Sequence, residues 1–210
     1  MHSDESTLPD GADDTLLVAG YRDDGSLDKF IVRHLEDPDA RRRVLALRAA
    51  HRRGLLGEAH WRAALTATDV DVRRESLTLI AAAGPVEASL LRVVVDALGD
   101  HDALVVDAAA FALGEHEHVA AIEELIAVAT GHDDARCRES AIAALGSIGD
   151  DRARPAIIGA LEDRPAVRRR AIVALANFEG PDIDDALSRA REDRDWQVRA
   201  AVDQLSREEE

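Results

Sequence analysis

The chain has one cysteine, Cys137, and one lysine, Lys29, in 210 residues. A single cysteine excludes an intrachain disulfide. Aromatic residues are only 3% of the chain, against 46% apolar residues in all, so any core must be built from Ala, Val, Leu and Ile. Side chains that small suit helices stacked at short distance. There is no apolar run of the roughly 18 residues that a membrane-spanning helix needs. Cationic excess is absent too: the formal net charge is −16. Nucleic-acid binding rests on clustered Lys and Arg facing phosphates, so this balance argues against it, and against an anionic membrane surface. The first residues, MHSDESTLPDGADD, lack a basic region followed by an apolar one, so no signal peptide is expected and the location is expected to be cytoplasmic.

What is present is a repeat. The segment DDARCRESAIAALGSIGD, residues 133–150, recurs in outline. With Cys137 as position zero, five other stretches align on it, with zero positions at Ala40, Val72, Val105, Val167 and Val198. A period of about 30–33 residues held through six copies is the signature of a repeat architecture, not of biased composition. Positions 0, +4, +8 and +11 share one helical face. Three residues before zero stand Asp37, Asp69, Asp102, Asp134 and Asp195, where an aspartate can cap a helix by accepting backbone N–H bonds. Pro38 and Pro165 then fall at the first helical position, which tolerates proline. Gly84 and Gly149 are placed to end their helices in a left-handed conformation.

Other amphipathic stretches lie between these helices, at 54–69, 86–100, 119–131, 151–163 and 181–193, with 26–37 as the first. Each unit therefore reads as two antiparallel helices joined by a short acidic turn. One such pair cannot bury its apolar faces alone, whereas stacked pairs can. The expected fold is all-α, a right-handed α-α superhelix of about six helix pairs, forming one domain over residues 15–210 after a disordered acidic tail at 1–14.

The segment GDDRARPAIIGALEDRPAVRRRAIVAL, residues 149–175, resembles the short HEAT-like repeat first named for phycobilisome lyases. The resemblance extends over roughly residues 26–206 and implies a HEAT/armadillo-like solenoid. It is specific for fold and not for function, because such repeats serve many roles. It implies three enzyme readings, the first a DNA glycosylase, which needs a basic concavity that position +2, with Arg42, Arg74, Asp107, Glu139, Arg169 and Ala200, interrupts in the middle. Di-iron hydroxylases of this type carry His-Glu pairs at positions +2 and +3, where this chain has Arg74-Glu75, Asp107-Ala108, Glu139-Ser140 and Arg169-Arg170. A bilin lyase-like or enzyme-accessory role is the alternative function, and it requires a chromophore-handling site that no residue pattern supplies. The abundance of Asp with almost no Lys is similar to that of proteins from salt-loving archaea, and equally to those of GC-rich genomes.

Four features compete for a functional role with a fifth, the concave surface. GEHEHVAA, residues 114–121, clusters His116 and His118 with Glu115 and Glu117, and reads as a solvated turn with no metal assigned. Cys137 occupies a column of valines and reads as a packing residue. The arginines at +1, Arg41, Arg73, Arg138, Arg168 and Arg199, recur beside the capping aspartates and read as a structural ladder of Asp–Arg pairs tying successive repeats together. Trp61 and Trp196 read as packing or capping residues. The remaining feature is the surface lined by position +6, expected to face a concave groove. It holds Phe111, Thr78 and Val173, framed at +2 by Arg42, Arg74 and Arg169. The expected function is a non-catalytic scaffold or adaptor, monomeric and without cofactor. It would hold a partner protein on this face, and the arginines favour an acidic segment in that partner.

Overall fold

A computed structural model of the chain describes residues 11–22 and 25–208. Among the described residues it is wholly helical, with thirteen α-helices and no strand. Helix α1 (Ala12–Ala19) precedes six pairs. These are α2 (Asp28–His34) with α3 (Ala40–Arg52), α4 (Glu58–Leu65) with α5 (Val70–Ala81), and α6 (Ala88–Asp96) with α7 (Ala103–Glu115). They continue with α8 (Ile122–Gly131) and α9 (Ala135–Ile148), α10 (Arg154–Gly159) and α11 (Pro165–Leu175), and α12 (Pro181–Ala190) and α13 (Trp196–Glu208). The expected tail lies outside the described residues over 1–10, and its last residues are helical, because α1 begins at Ala12.

The chain divides into two compact units, Met1–Leu79 and Ile80–Glu210. In the first unit, α1 and α2 pack on α3. Leu16 meets Leu45 and Ala46, while Ile31 and Ala19 meet Ala49 and Ala50. Leu47 joins Ala64 of α4 and Val72 of α5.

In the second unit the second helices α7, α9, α11 and α13 pack side by side, each covered by its own first helix. The approach between them is close because small residues meet at the crossings. A Cβ at Gly114 would stand 2.9 Å from the Ala144 Cα, and one at Gly146 would stand 2.6 Å from the Ala174 Cβ. Neither neighbour is the end of a flexible side chain, so glycine is required at both points. The Asn177 amide also donates to the Gly146 carbonyl at 2.8 Å, tying α9 to the end of α11.

Burial follows the repeat columns. Position zero is buried at Val72, Val105, Cys137, Val167 and Val198, and +8 is buried at Ile80, Leu113, Leu145 and Leu175. The first copy departs from the expected alignment. Its buried residues Ala46, Leu47 and Ala50 match +4, +5 and +8 only when zero is moved from Ala40 to Arg42. The expected frame would put exposed Arg48 in the buried +8 column. The corrected zero lies two residues later, thirty before Val72 (72 − 42).

This shift relocates the first cap. Helix α3 starts at Ala40, and its N-cap is Asp39, which accepts from the Arg41 amide at 2.8 Å. Asp37 instead accepts from the Asp39 amide at 2.9 Å, and Pro38 lies in the turn before the helix. The same Asp-x-Asp device recurs at Asp100–Asp102 and Asp193–Asp195: the first aspartate holds the amide of the second, and the second caps the helix. Asp69 and Asp134 cap α5 and α9. Gly149 closes α9 at φ 67°, a left-handed conformation that favours glycine. Gly84 does not play that part, since it is absent from the positive-φ positions and α5 ends at Ala81.

Candidate functional site

The arginine at +1 performs one job in every repeat that has it. In the turn between first and second helix, one guanidinium nitrogen, Nη1, takes one or two backbone carbonyls. Arg73 donates to the Ala67 and Thr68 carbonyls at 2.8 and 3.1 Å, and Arg138 to those of His132 and Asp133 at 2.7 and 3.0 Å. Arg168 and Arg199 reach the Asp163 and Asp193 carbonyls at 2.8 and 2.7 Å. In the first repeat the residue in this place is Arg43, bonded to the carbonyls of Asp37 and Pro38. Arg41, expected there, is an exposed side chain 3.7 Å from Asp13, because the first repeat is shifted by two residues.

Arg138 and Arg168 also bridge forward. Arg138 grips Asp163 through Nε and Nη2 at 2.6 and 2.7 Å, and Arg168 grips Asp193 at 2.9 and 2.8 Å. The planar fork of arginine matches a carboxylate in this bidentate way. Each acid lies 25 residues beyond its arginine, in the following repeat's turn. These two bridges use Asp163 and Asp193, not the capping Asp134 and Asp195. Asp134 pairs with Arg136 of its own helix at 2.8 Å. Arg168 is 3% exposed, so its charge depends on this pairing. The guanidinium of Arg138 holds the Asp163 carboxyl below the ordinary range, and that of Arg168 does the same for Asp193.

These groups are satisfied by one another and leave nothing for a substrate. A hollow of about 510 Å³ on the first-helix side of the second unit is lined by Ile158, Leu161, Glu162, Arg168, Arg189 and Asp193, and its buried charges are this same Arg168–Asp193 pair. Cys137 is buried, donates from Sγ to the Ala103 carbonyl at 3.1 Å, and is pushed up to about 11 by burial. It is a thiol with no means of becoming a nucleophile. His116 donates from Nε2 to the Ile80 carbonyl at 2.8 Å. A carbonyl can only accept, so that nitrogen carries the proton and is closed to a metal. Burial and the nearby His116 lower the pKa of His118. Among the described residues no group of three or more metal-ligating side chains comes together.

The exposed face of the second helices is different. Phe111 is 55% exposed on α7, Val173 is 50% exposed on α11, and Trp196 is 67% exposed at the start of α13. Phe111 opens a hollow of about 250 Å³ bounded by Glu139, Ser140 and Ala143 of α9 and by Arg170 of α11. Ser140 donates its hydroxyl to Asp107 on α7 beside this hollow. A second hollow, of about 320 Å³, is bounded by Arg169, Arg170, Val173, Trp196, Gln197 and Ala200. Arg170 borders both, which joins them into one surface within the second unit.

This surface includes three of the expected partner-binding residues, Phe111, Arg169 and Val173. Two of its members, Arg170 and Trp196, were not expected. The signal for Arg170 is in the helical geometry: residues at +3, +6 and +10 share a face, and Ser140, Ala143 and Ser147 occupy those places on α9. On α11 the framing arginines are therefore Arg170 at +3 as well as Arg169 at +2. Trp196, expected to pack or cap, stands in solvent, whereas Trp61 is buried with its ring edge-on to His51 at 6.0 Å.

The other expected members belong to the first unit. Arg42 occupies the shifted position zero and donates from Nε to Asp13 at 2.9 Å. Arg74 pairs with Asp71 at 3.0 Å, and exposed Thr78 donates its hydroxyl back to the Arg74 carbonyl at 3.1 Å. The charges of both arginines are answered within the chain.

The family model for HEAT repeats matches residues 58–145 and 122–206, most of the chain. The chain belongs to the HEAT-repeat family. No curated protein sequence matches it. Its solved neighbours fix the fold as all-α and HEAT/armadillo-like. YibA of Escherichia coli superposes with a TM-score of 0.64 at 17% identity, over 96% of this chain and 75% of its own. A designed armadillo repeat protein in complex with the peptide (KR)4 gives 0.65 at 17% identity, over 87% and 98%. The complex of CpcE and CpcF of phycocyanin lyase from Nostoc sp. PCC7120 gives 0.62 at 21% identity, over 83% and 74%. No helix among the described residues of this HEAT-repeat chain is long and apolar enough to cross a membrane.

Proposed function

We propose that the protein is a non-catalytic interaction scaffold that holds a segment of a partner protein against the second helices of its second unit. The observation that carries this reading is the exposure of Phe111, Val173 and Trp196 along α7, α11 and α13 at two joined hollows; the other large apolar side chains exposed among the described residues, Leu17, Val18, Tyr21, Val32 and Val119, line neither hollow. Aromatic side chains that are exposed in the free protein and rimmed by polar groups are the usual energetic anchors of an interface. The ladder, the caps, Cys137 and His116 are all satisfied internally, so the chain offers no reactive group in their place. The designed armadillo protein with its bound peptide supports the reading at the level of fold: stacked helix pairs of this kind can present a peptide-binding surface.

The test is retention of a partner from the native host under its own salt. A protein held by the wild type, identified, then purified and mixed back, should lose at least tenfold in affinity to Phe111→Asp. Unchanged affinity would remove Phe111 from the site and the reading with it. The phycocyanin lyase neighbour makes a chromophore-linked role the competing reading. On the scaffold reading, the purified protein shows no visible absorption band and acquires none when mixed with a bilin.

A further inference from the structure

The hollow at Trp196 has a charge opposite to that of the molecule around it. The chain carries −16, yet the charged groups among the described residues lining this hollow are Arg169 and Arg170, with no carboxylate between them. Neither guanidinium is closed off as those of the ladder are. Arg169 has a long contact of 3.4 Å to the Gln197 side-chain oxygen, and Arg170 stands 3.5 Å from Glu139 in the neighbouring hollow. Both side chains are exposed, and they flank an indole face and a valine that are themselves in solvent. A protein that repels anions overall has placed Arg169, whose contact is to a neutral amide, and Arg170, paired only at 3.5 Å with Glu139, beside its largest exposed aromatic. Guanidinium groups beside apolar side chains suit the recognition of a carboxylate next to an apolar group.

We infer that this hollow recognises an acidic residue adjacent to a bulky apolar one in an extended segment of the partner, with the carboxylate between Arg169 and Arg170 and the apolar side chain against Trp196 and Val173. The inference rests on the scaffold reading and deepens it, since the Phe111 hollow receives a second apolar residue of the same segment. Adjacent helices pack roughly 8–10 Å apart and an extended chain advances about 3.3 Å per residue, so the two anchors are separated by roughly five or six residues.

Selection of random 12-residue peptides by display on the full chain tests this, followed by fluorescence anisotropy with the recovered peptides. The expected peptides share Asp or Glu beside Leu, Phe or Trp, with a second apolar residue upstream or downstream. Their affinity falls on the order of tenfold for Trp196→Ala, and by more for the paired change Arg169→Glu with Arg170→Glu. Added salt weakens them. All three side chains are exposed, so the variants should keep the helical circular dichroism of the wild type. Recovered peptides that ignore the arginine changes but are lost with Phe111→Asp would overturn the hollow's assignment while leaving the scaffold reading intact. Peptides that are basic, that bind every variant equally, or that are not recovered at all would overturn both.

Discussion

At the scale of single residues, the structure turns on small side chains as much as on charged ones. Gly146 sits where α9 and α11 cross, and a β-carbon there would stand 2.6 Å from the Ala174 Cβ and 2.8 Å from its Cα. Gly146→Val therefore forces the helices apart and should cost about 1–3 kcal/mol in denaturant unfolding. Gly159, helical at φ −59° and open around its missing side chain, is the contrast. Gly159→Ala should stabilise by about 0.5–1 kcal/mol, since alanine loses less conformational freedom. Arg168 is the costliest of the charged residues to lose, because its removal leaves Asp193 without a bidentate partner and a turn carbonyl without its donor. Arg168→Ala should cost about 3–5 kcal/mol, read as a shift of the unfolding midpoint with unchanged slope.

At the scale of the element, most second helices carry an aspartate at their start and an arginine one turn in, and the acids of these turns give the fold its pH dependence. Arg138 and Arg168 lower Asp163 and Asp193, and hydrogen bonds from Arg136 and Arg152 hold Asp134 and Asp150 down to about 2. A carboxylate lowered on folding contributes stability that is complete above its unfolded value, near 3.9, and is lost as pH falls through the folded value. Thermal midpoints should thus hold steady at neutral pH and decline from about pH 5 towards 2. Asp193→Asn should lower the midpoint at pH 7 and flatten that decline; an equal decline in the variant would show that the ladder carries none of it.

The elements were legible in the sequence because burial repeats in columns about 30–33 residues apart, and five of the six copies align without ambiguity. The first copy was not, for a physical reason. Asp37-Pro38-Asp39 offers two aspartates able to cap, and Arg41-Arg42-Arg43 offers three equivalent arginines, so neither the cap nor the clasp sets the alignment. Only the burial of Ala46, Leu47 and Ala50 settles it. Among candidate site residues, Phe111 could be read because it interrupts a column of small side chains. Trp196 could not, since exposure at a helix start depends on neighbours from other repeats; Arg170 could have been, from the face that +3 shares with +6.

For the molecule as a whole, the strongest influence outside the core is a net charge of −16. Self-repulsion at that charge opposes compaction, and salt shortens its range from about 10 Å at 0.1 M to about 3 Å at 1 M. The unfolding temperature should therefore rise as sodium chloride increases, because the ladder pairs are mostly shielded from solvent while the repelling carboxylates are not. A fall with salt would mean that exposed ion pairs outweigh the repulsion. The central claim is that one exposed face, that of α7, α11 and α13, meets a protein partner. A photo-crosslinking amino acid placed at position 111 in the native host tests it most directly, with the exposed position 124 on first helix α8 as the control. The predicted result is a discrete protein adduct at 111 that is weak or missing at 124; adducts at 124 alone, or the same adducts at both positions, would contradict the claim.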